Sequence, residues 1–308
     1  IISIFMGSEI TELLTKIAKG EKYEGKDRSF VKVGVDTLPA LPKDNSDRNR
    51  TSPFAFTGNK FEFRMVGSSA SIAGPNVVLN TIVAEALEEI ADRLEKASDI
   101  NAESAAIIRE YVSKHERIIF NGNGYSDDWV KEAEKRGLPN VRSTVEALKS
   151  YLKPEKLALF EKYQVLTKEE LHSRYEVYVE QYSKQINIEA QTAIQMARRQ
   201  YLPAAVFYTN ELADTIAKVK AAGGTAVYQE GLLKQVSALL DRAGKKAATL
   251  EENTVKARGM EGTAQAEYYR DSVFTAMAAL RADIDALEAI LPSELWPVPT
   301  YCDLLFRL

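Results

Sequence analysis

The chain has 308 residues, 45% of them hydrophobic and 27% charged, the balance of a soluble globular protein with enough apolar material for two ordinary cores. A net charge of −4 leaves no basic footprint for nucleic acid. No apolar run approaches the roughly 20 residues that span a bilayer, and the first residues lack the basic start of a signal peptide. The expected setting is cytoplasmic, with neither nucleic acid nor membrane as a partner.

Ile1 to Met6 reads as a strand that starts in mid-run, as if cut from preceding residues. Ser8 is placed to cap a short amphipathic helix with Ile10, Leu13, Leu14 and Ile17 inside and Gly20 as its stop. Ser29 to Val35 alternates as a strand, and the Pro39/Pro42 loop then delivers Asp44 to Arg50. From Lys60 to Met65 charged and apolar residues alternate strictly. Period two puts Lys60, Glu62 and Arg64 on one wet face, with Phe61, Phe63 and Met65 packed behind them. A carboxylate between two cations, with Arg50 brought near by the preceding loop, suits a site for a metal and anionic ligands. An ordinary solvated strand with ion pairs on its outer face would show the same alternation.

Gly67 to Asn76 reads as a loop, followed by a helix through Val77, Leu79, Ile82, Val83, Leu87 and Ile90. Beyond Asn101 the pattern is helical throughout: Ala102 to Ile119, then a turn at Asn121-Gly122-Asn123-Gly124, then Asp127 to Arg136 ended by Gly137. The turn lacks the preceding strand and third glycine of a phosphate loop and reads as structural. Ser143-x-x-Glu146 and Thr167-x-x-Glu170 are capping boxes. An apolar stripe from Leu171 through Tyr175, Tyr178, Tyr182, Ile186, Ala190, Ala193 and Ala197 to Tyr201 predicts one long helix ending at Pro203. Leu233, Val236, Leu240, Ala243, Ala247 and Leu250, and then Val273, Ala276, Leu280, Ile284, Leu287 and Leu291, offer its partners, with turns at Gly223-Gly224 and Gly259 to Gly262. The proline-rich tail after Leu291 cannot stay helical. Tyr301, Leu304, Leu305 and Phe306 behind it are too apolar to trail in water and are expected to dock. Cys302 is a lone cysteine and so excludes an internal disulfide, while His115 and His172 form no zinc pattern.

Asn49-Arg50-Thr51-Ser52, Glu62-Phe63-Arg64 and Ser71-Ile72-Ala73-Gly74-Pro75-Asn76 before a helix resemble, in order and spacing, the barrel segment of glutamine synthetases. Phe120-Asn121-Gly122-Asn123-Gly124-Tyr125-Ser126 and Leu295-Trp296-Pro297-Val298-Pro299-Thr300-Tyr301 resemble the type III branch of that family. The resemblance implies an α+β fold: the end of an antiparallel β/α catalytic barrel over residues 1–186, its upstream half missing, followed by a long-helix antiparallel bundle over 187–308. It implies ATP-dependent ligation of ammonia to glutamate through a γ-glutamyl phosphate, with ATP and Mg²⁺ or Mn²⁺ as cofactors and a homo-oligomer of stacked hexameric rings. By motif, Glu62 stands for the metal ligand, Arg64 for the glutamate α-carboxylate clamp, Arg50 for the catalytic arginine at the transferring phosphoryl group, and Lys60 for a basic residue near ATP. Two positions depart from the family pattern: Ala55, where many members have a second arginine, and Gly74, where they have asparagine. A helical assembly module without catalysis, and a related carboxylate-amine ligase using another amine, are the alternatives.

Overall fold

The structure is a computed structural model that describes residues 1–23, 30–31, 41–42, 50–299 and 301–305. Its elements fall into two compact units, residues 1–142 with 158–165, and residues 143–157 with 166–308. Helices dominate, and the larger of two small sheets has three strands. No helix among the described residues is long and apolar enough to cross a membrane.

In the first unit β1 (Ile4–Phe5) pairs in parallel with β4 (Phe54–Phe56), which pairs antiparallel with β5 (Phe61–Phe63). A second pair joins β2 (Phe30–Val31) to β3 (Leu41–Pro42); the rest of the strand expected over Ser29 to Val35 lies outside the described residues. Helix α1 (Ser8–Lys19) ends at Gly20 as its sequence predicts, but Gly7 rather than Ser8 takes the N-cap position, and the Thr11 hydroxyl donates to the Gly7 carbonyl. Helix α2 (Ala73–Glu95) starts earlier than its apolar run suggests, taking in Ala73 to Asn76 of the expected loop. Pro75 does not prevent this, because the amides of the first helical turn have no intrahelical partner to lose. Helix α3 (Ile100–His115) is tied to α2 through Arg93, which reaches Glu103 at 2.8 Å and Glu110 at 2.6 Å. Helix α4 (Asp127–Lys135) is capped by Ser126 and buries Trp129, whose ring stacks on Phe120 at 3.8 Å. At the end of α6 (Pro154–Lys162), Lys162 and Tyr163 close the unit against α2. Lys162 pairs with Glu85 at 2.8 Å and Glu88 at 2.6 Å, and Tyr163 donates to both carboxylates. Loss of solvation and the two carboxylates push the Tyr163 hydroxyl up to about 12.

In the second unit α5 (Thr144–Leu148) and α7 (Lys168–Met196) begin at the two expected caps, which turn out unequal. Thr167 and Glu170 exchange both bonds of a capping box. Ser143 accepts from the Glu146 amide, but the Glu146 carboxylate is drawn off to Arg270 at 2.6 Å and Lys149 at 3.1 Å, so that box is half made. Thr167→Ala is expected to cost about 1 kcal/mol of this unit's stability, read from the urea midpoint of its helical signal.

Pro203 does not end the long helix. At Ala197–Tyr201 the chain passes through a π-turn and continues as α8 (Leu202–Ala221), so the helical column runs on past the expected stop. A π-turn widens the local backbone and displaces the preceding carbonyls with which the proline ring would otherwise clash. After the Gly223-Gly224 turn, α9 (Val227–Arg258) runs back along this column, since Lys220 meets Glu230, Arg198 meets Glu251 and Arg258 meets Asn187. A third column, α10 (Gly262–Tyr268), a second π-turn at Tyr269–Phe274 and α11 (Thr275–Glu288), reverses again, with Asn253 near Tyr268 and Arg242 near Asp283. Their shared core holds Val236, Ala243, Ala247, Leu250, Val273, Leu280 and Leu287, much as the two stripes predict. Leu239 is fully buried where Leu240 is only partly so. Within it Asp283 is 5% exposed and is met by Lys246 at 2.7 Å and Arg242 at 3.1 Å. Burial alone would raise its carboxyl, but the two cations outweigh burial and hold it below the usual carboxylate range.

The tail docks in part. Leu291 and Trp296 join the core, and Trp296 stacks on Tyr201 of the first π-turn at 5.0 Å. The terminal helix α12 (Tyr301–Leu305) leaves Leu304 and Leu305 exposed on the single chain; Phe306 lies outside the described residues.

Candidate functional site

The expected site is built on the β4–β5 hairpin. Its two-residue turn is closed by the Thr57 amide donating to the Lys60 carbonyl at 2.9 Å. Gly58, with φ +93°, occupies the position where a hairpin turn of this length demands glycine. The register sets Phe54 opposite Phe63, Ala55 opposite Glu62 and Phe56 opposite Phe61. The Arg64 amide then donates to the Pro53 carbonyl at 2.8 Å, which extends the pairing by one residue.

Lys60, Glu62 and Arg64 come together as their spacing predicts. Arg64 donates through Nε at 3.1 Å and Nη2 at 2.8 Å to one Glu62 oxygen, and Lys60 lies 3.3 Å from the other, to which the Thr57 hydroxyl also donates at 3.4 Å. The hydrogen bonds from Arg64 and Lys60 hold the Glu62 carboxyl below its usual range. Arg50 stands exposed at the bend before the hairpin, and among the described residues no ion pair or hydrogen bond joins it to Glu62. Residues 44–49, which lead into it, lie outside the described residues.

The two faces differ from the expected wet and dry pair. Residues directly opposite in a ladder share a face, so Glu62 lies on the side of Ala55 and Phe5, which are 1% and 4% exposed. The aromatic side is the more open one: Phe61 and Met65 are 49% and 47% exposed, although Phe61 stacks on Phe54 at 5.5 Å. Alternation fixes which residues go together, and the neighbouring strand decides which side is covered. Ala55 is buried on the central strand of the sheet.

Positioning falls to residues whose role the sequence does not announce. The Gly124 amide donates to the Thr51 carbonyl at 3.0 Å, and a Cβ on Gly124 would sit 2.5 Å from that oxygen, so only glycine lets the turn support the start of β4. The Asn121 side chain accepts from the Met6 and Gly7 amides at 3.1 Å each and donates to Thr11 at 2.8 Å. The Asn121–Gly124 turn is thus a clamp on β1 and on the approach to Arg50. The available signal was a glycine pair with no phosphate-loop context.

Chemically, the wall is a fixed carboxylate flanked by two cations. Its donors suit a carboxylate or phosphate ligand. A divalent cation takes about six oxygen ligands, and Glu62 would be one of them. No group of three His, Cys, Asp or Glu among the described residues could hold a metal ion, so these residues do not complete such a site.

Residues 103–220 match the model of the glutamine synthetase C-terminal domain. Along its length the chain is similar to glutamine synthetase of Butyrivibrio fibrisolvens, 37% identical over 100% of this chain and 44% of the relative. It is similar too to type-3 glutamine synthetase of Dictyostelium discoideum, 36% identical over 99% of the chain and 43% of the relative. Glutamine synthetase of Bacteroides fragilis is 32% identical over 99% of the chain and 44% of the relative. The chain therefore spans less than half the length of the curated relatives it matches. With its type III motifs and these relatives together, the chain belongs to the glutamine synthetase family.

Proposed function

We propose that the chain is part of an ATP-dependent ligase that joins ammonia to glutamate through a γ-glutamyl phosphate. The observation that carries this reading is the Glu62 carboxylate held between Lys60 and Arg64, in the order that the family motif prescribes. Arg64 clamps the α-carboxylate of glutamate, which takes over the donors that Glu62 now occupies. Arg50 faces the transferring phosphoryl group, where positive charge counts most in the transition state. Lys60 serves the ATP phosphates. Glu62 contributes one oxygen to Mg²⁺ or Mn²⁺, whose other ligands belong to the remainder of the whole protein. Residues 1–186 are the C-terminal part of the catalytic domain and 187–308 a helical extension, with the columns around α9 as an antiparallel bundle. The whole protein is a cytoplasmic homo-oligomer of stacked hexameric rings, a reading supported by the exposed Leu304 and Leu305 and by Ile82, Val83 and Leu87, which α2 leaves 44 to 58% exposed.

Arg64→Lys tests the substrate assignment in the whole protein. A bidentate fork becomes a point charge, so KM for glutamate is expected to rise about tenfold or more, with KM for ATP within about twofold. A selective rise for ATP in steady-state kinetics would exchange the roles of Arg64 and Lys60.

A further inference from the structure

We propose that the groove between α7 with its π-turn and α9 binds a small phosphate-bearing molecule carrying at least two negative charges. The groove has a volume of about 480 Å³, within the range of small-molecule sites. It is lined by Ile194, Arg198, Arg199, Glu251, Val255 and Arg258. Three arginines face one carboxylate, a local excess of positive charge in a chain of net charge −4.

The cations are not equally occupied. Arg198 holds Glu251 in a fork at 3.0 and 2.6 Å, which satisfies that carboxylate and stiffens one wall. Arg258 gives Nε to the Asn187 amide oxygen at 3.2 Å, a neutral partner, and has no ion pair among the described residues. Arg199 has no ion pair among the described residues. Gln191 and Gln195 add amide donors on the same wall, and Ile194 with the 61%-exposed Val255 gives an apolar strip for the non-ionic part of a ligand. Arg198 and Arg199 both stand in the π-turn at Ala197–Tyr201, an interruption frequent where a helix serves a function as well as packing. A guanidinium pair with a bound neighbour matches the planar, multidentate recognition of phosphate better than a diffuse surface charge does. The groove shares no residue with the Glu62 wall, and its occupation does not depend on the ligase reading.

The test is calorimetric titration of the 308-residue chain with pyrophosphate at low salt, repeated on Arg64→Ala so that any binding at the Glu62 wall is counted apart. One saturable event that persists in Arg64→Ala, and weakens about tenfold or more in both Arg199→Glu and Arg258→Glu, supports the proposal. Arg281→Glu is the control, because Arg281 pairs with Asp285 outside the groove and should change affinity by less than about twofold. Unfolding midpoints of the variants, matched to the parent, show that loss of binding is not loss of fold. Absence of a saturable event, its disappearance in Arg64→Ala, or equal weakening by Arg281→Glu would overturn the site. Arg199-dependent binding of a poly-glutamate peptide that pyrophosphate does not displace would overturn it too, in favour of an acidic protein partner.

Discussion

Replacing Glu62 by alanine is expected to lower biosynthetic turnover of the whole protein by at least about a hundredfold, with no change in its thermal unfolding midpoint. The side chain is 36% exposed and its partners are Lys60, Arg64 and the Thr57 hydroxyl, so its removal takes no apolar contact from the core. What it does remove is the one anionic oxygen pair on a cationic wall. That wall then loses the group that orients Arg64 and, on the proposed assignment, one oxygen ligand of the nucleotide's cation. Turnover and the dependence of rate on Mg²⁺ concentration are the two measurements. If both match the parent while folding is intact, the wall is an ion-paired surface and the chain reverts to the reading of a helical assembly module.

Trp296→Ala is expected to destabilise the second unit by about 3 kcal/mol, the low end for truncating a buried tryptophan. The side chain is 8% exposed, lies in the main core cluster and stacks on Tyr201 at 5.0 Å. Among the described residues its indole N–H has no hydrogen-bond partner, so part of the loss is offset when that unpaired donor is removed with the ring. Denaturant unfolding followed by far-ultraviolet circular dichroism reads the change. A cost below about 1 kcal/mol would mean that the proline-rich tail lies against the helices without holding them. Truncation before Trp296 confounds any experiment on subunit association, because it injures the core before it touches a partner.

The local signals in this sequence were strong, and the failures came from distant contacts. Alternation located the Lys60 to Arg64 wall and the family motif named it, yet the covered face depended on β1, whose partner residues are some fifty positions away in the chain. The three-four spacing of Val236, Ala243, Ala247 and Leu250 marked a core seam because a helix reports its own face. Pro203 reads as a stop because the stop rule assumes regular α-helical hydrogen bonding, and the π-turn at Ala197–Tyr201 removes that assumption. Asn121 and Gly124 were legible only as turn residues. Their use in holding Gly7 and Thr51 is a matter of tertiary approach, which no window of local sequence contains.

The π-turn has one more consequence, for the phase of the helical column. Each residue advances an α-helix by about 100°, so a one-residue insertion would swing everything beyond it away from the seam unless it is absorbed in one wide turn. Val179, Ser183, Ile186, Ala190 and Ala197 are buried before or at that turn, and Ala204, Ala205 and Leu212 are buried after it. The wide turn therefore works as a rotational adjuster, letting two stretches of helix with offset apolar stripes present them to the same neighbour. Deleting a single residue there would let the wide turn close to a regular α-turn with Ala205 and Leu212 still facing the seam, whereas the same deletion elsewhere in the column would turn the residues beyond it by about 100°. Tolerance of a one-residue deletion along this helix is thus highest where the backbone is least regular.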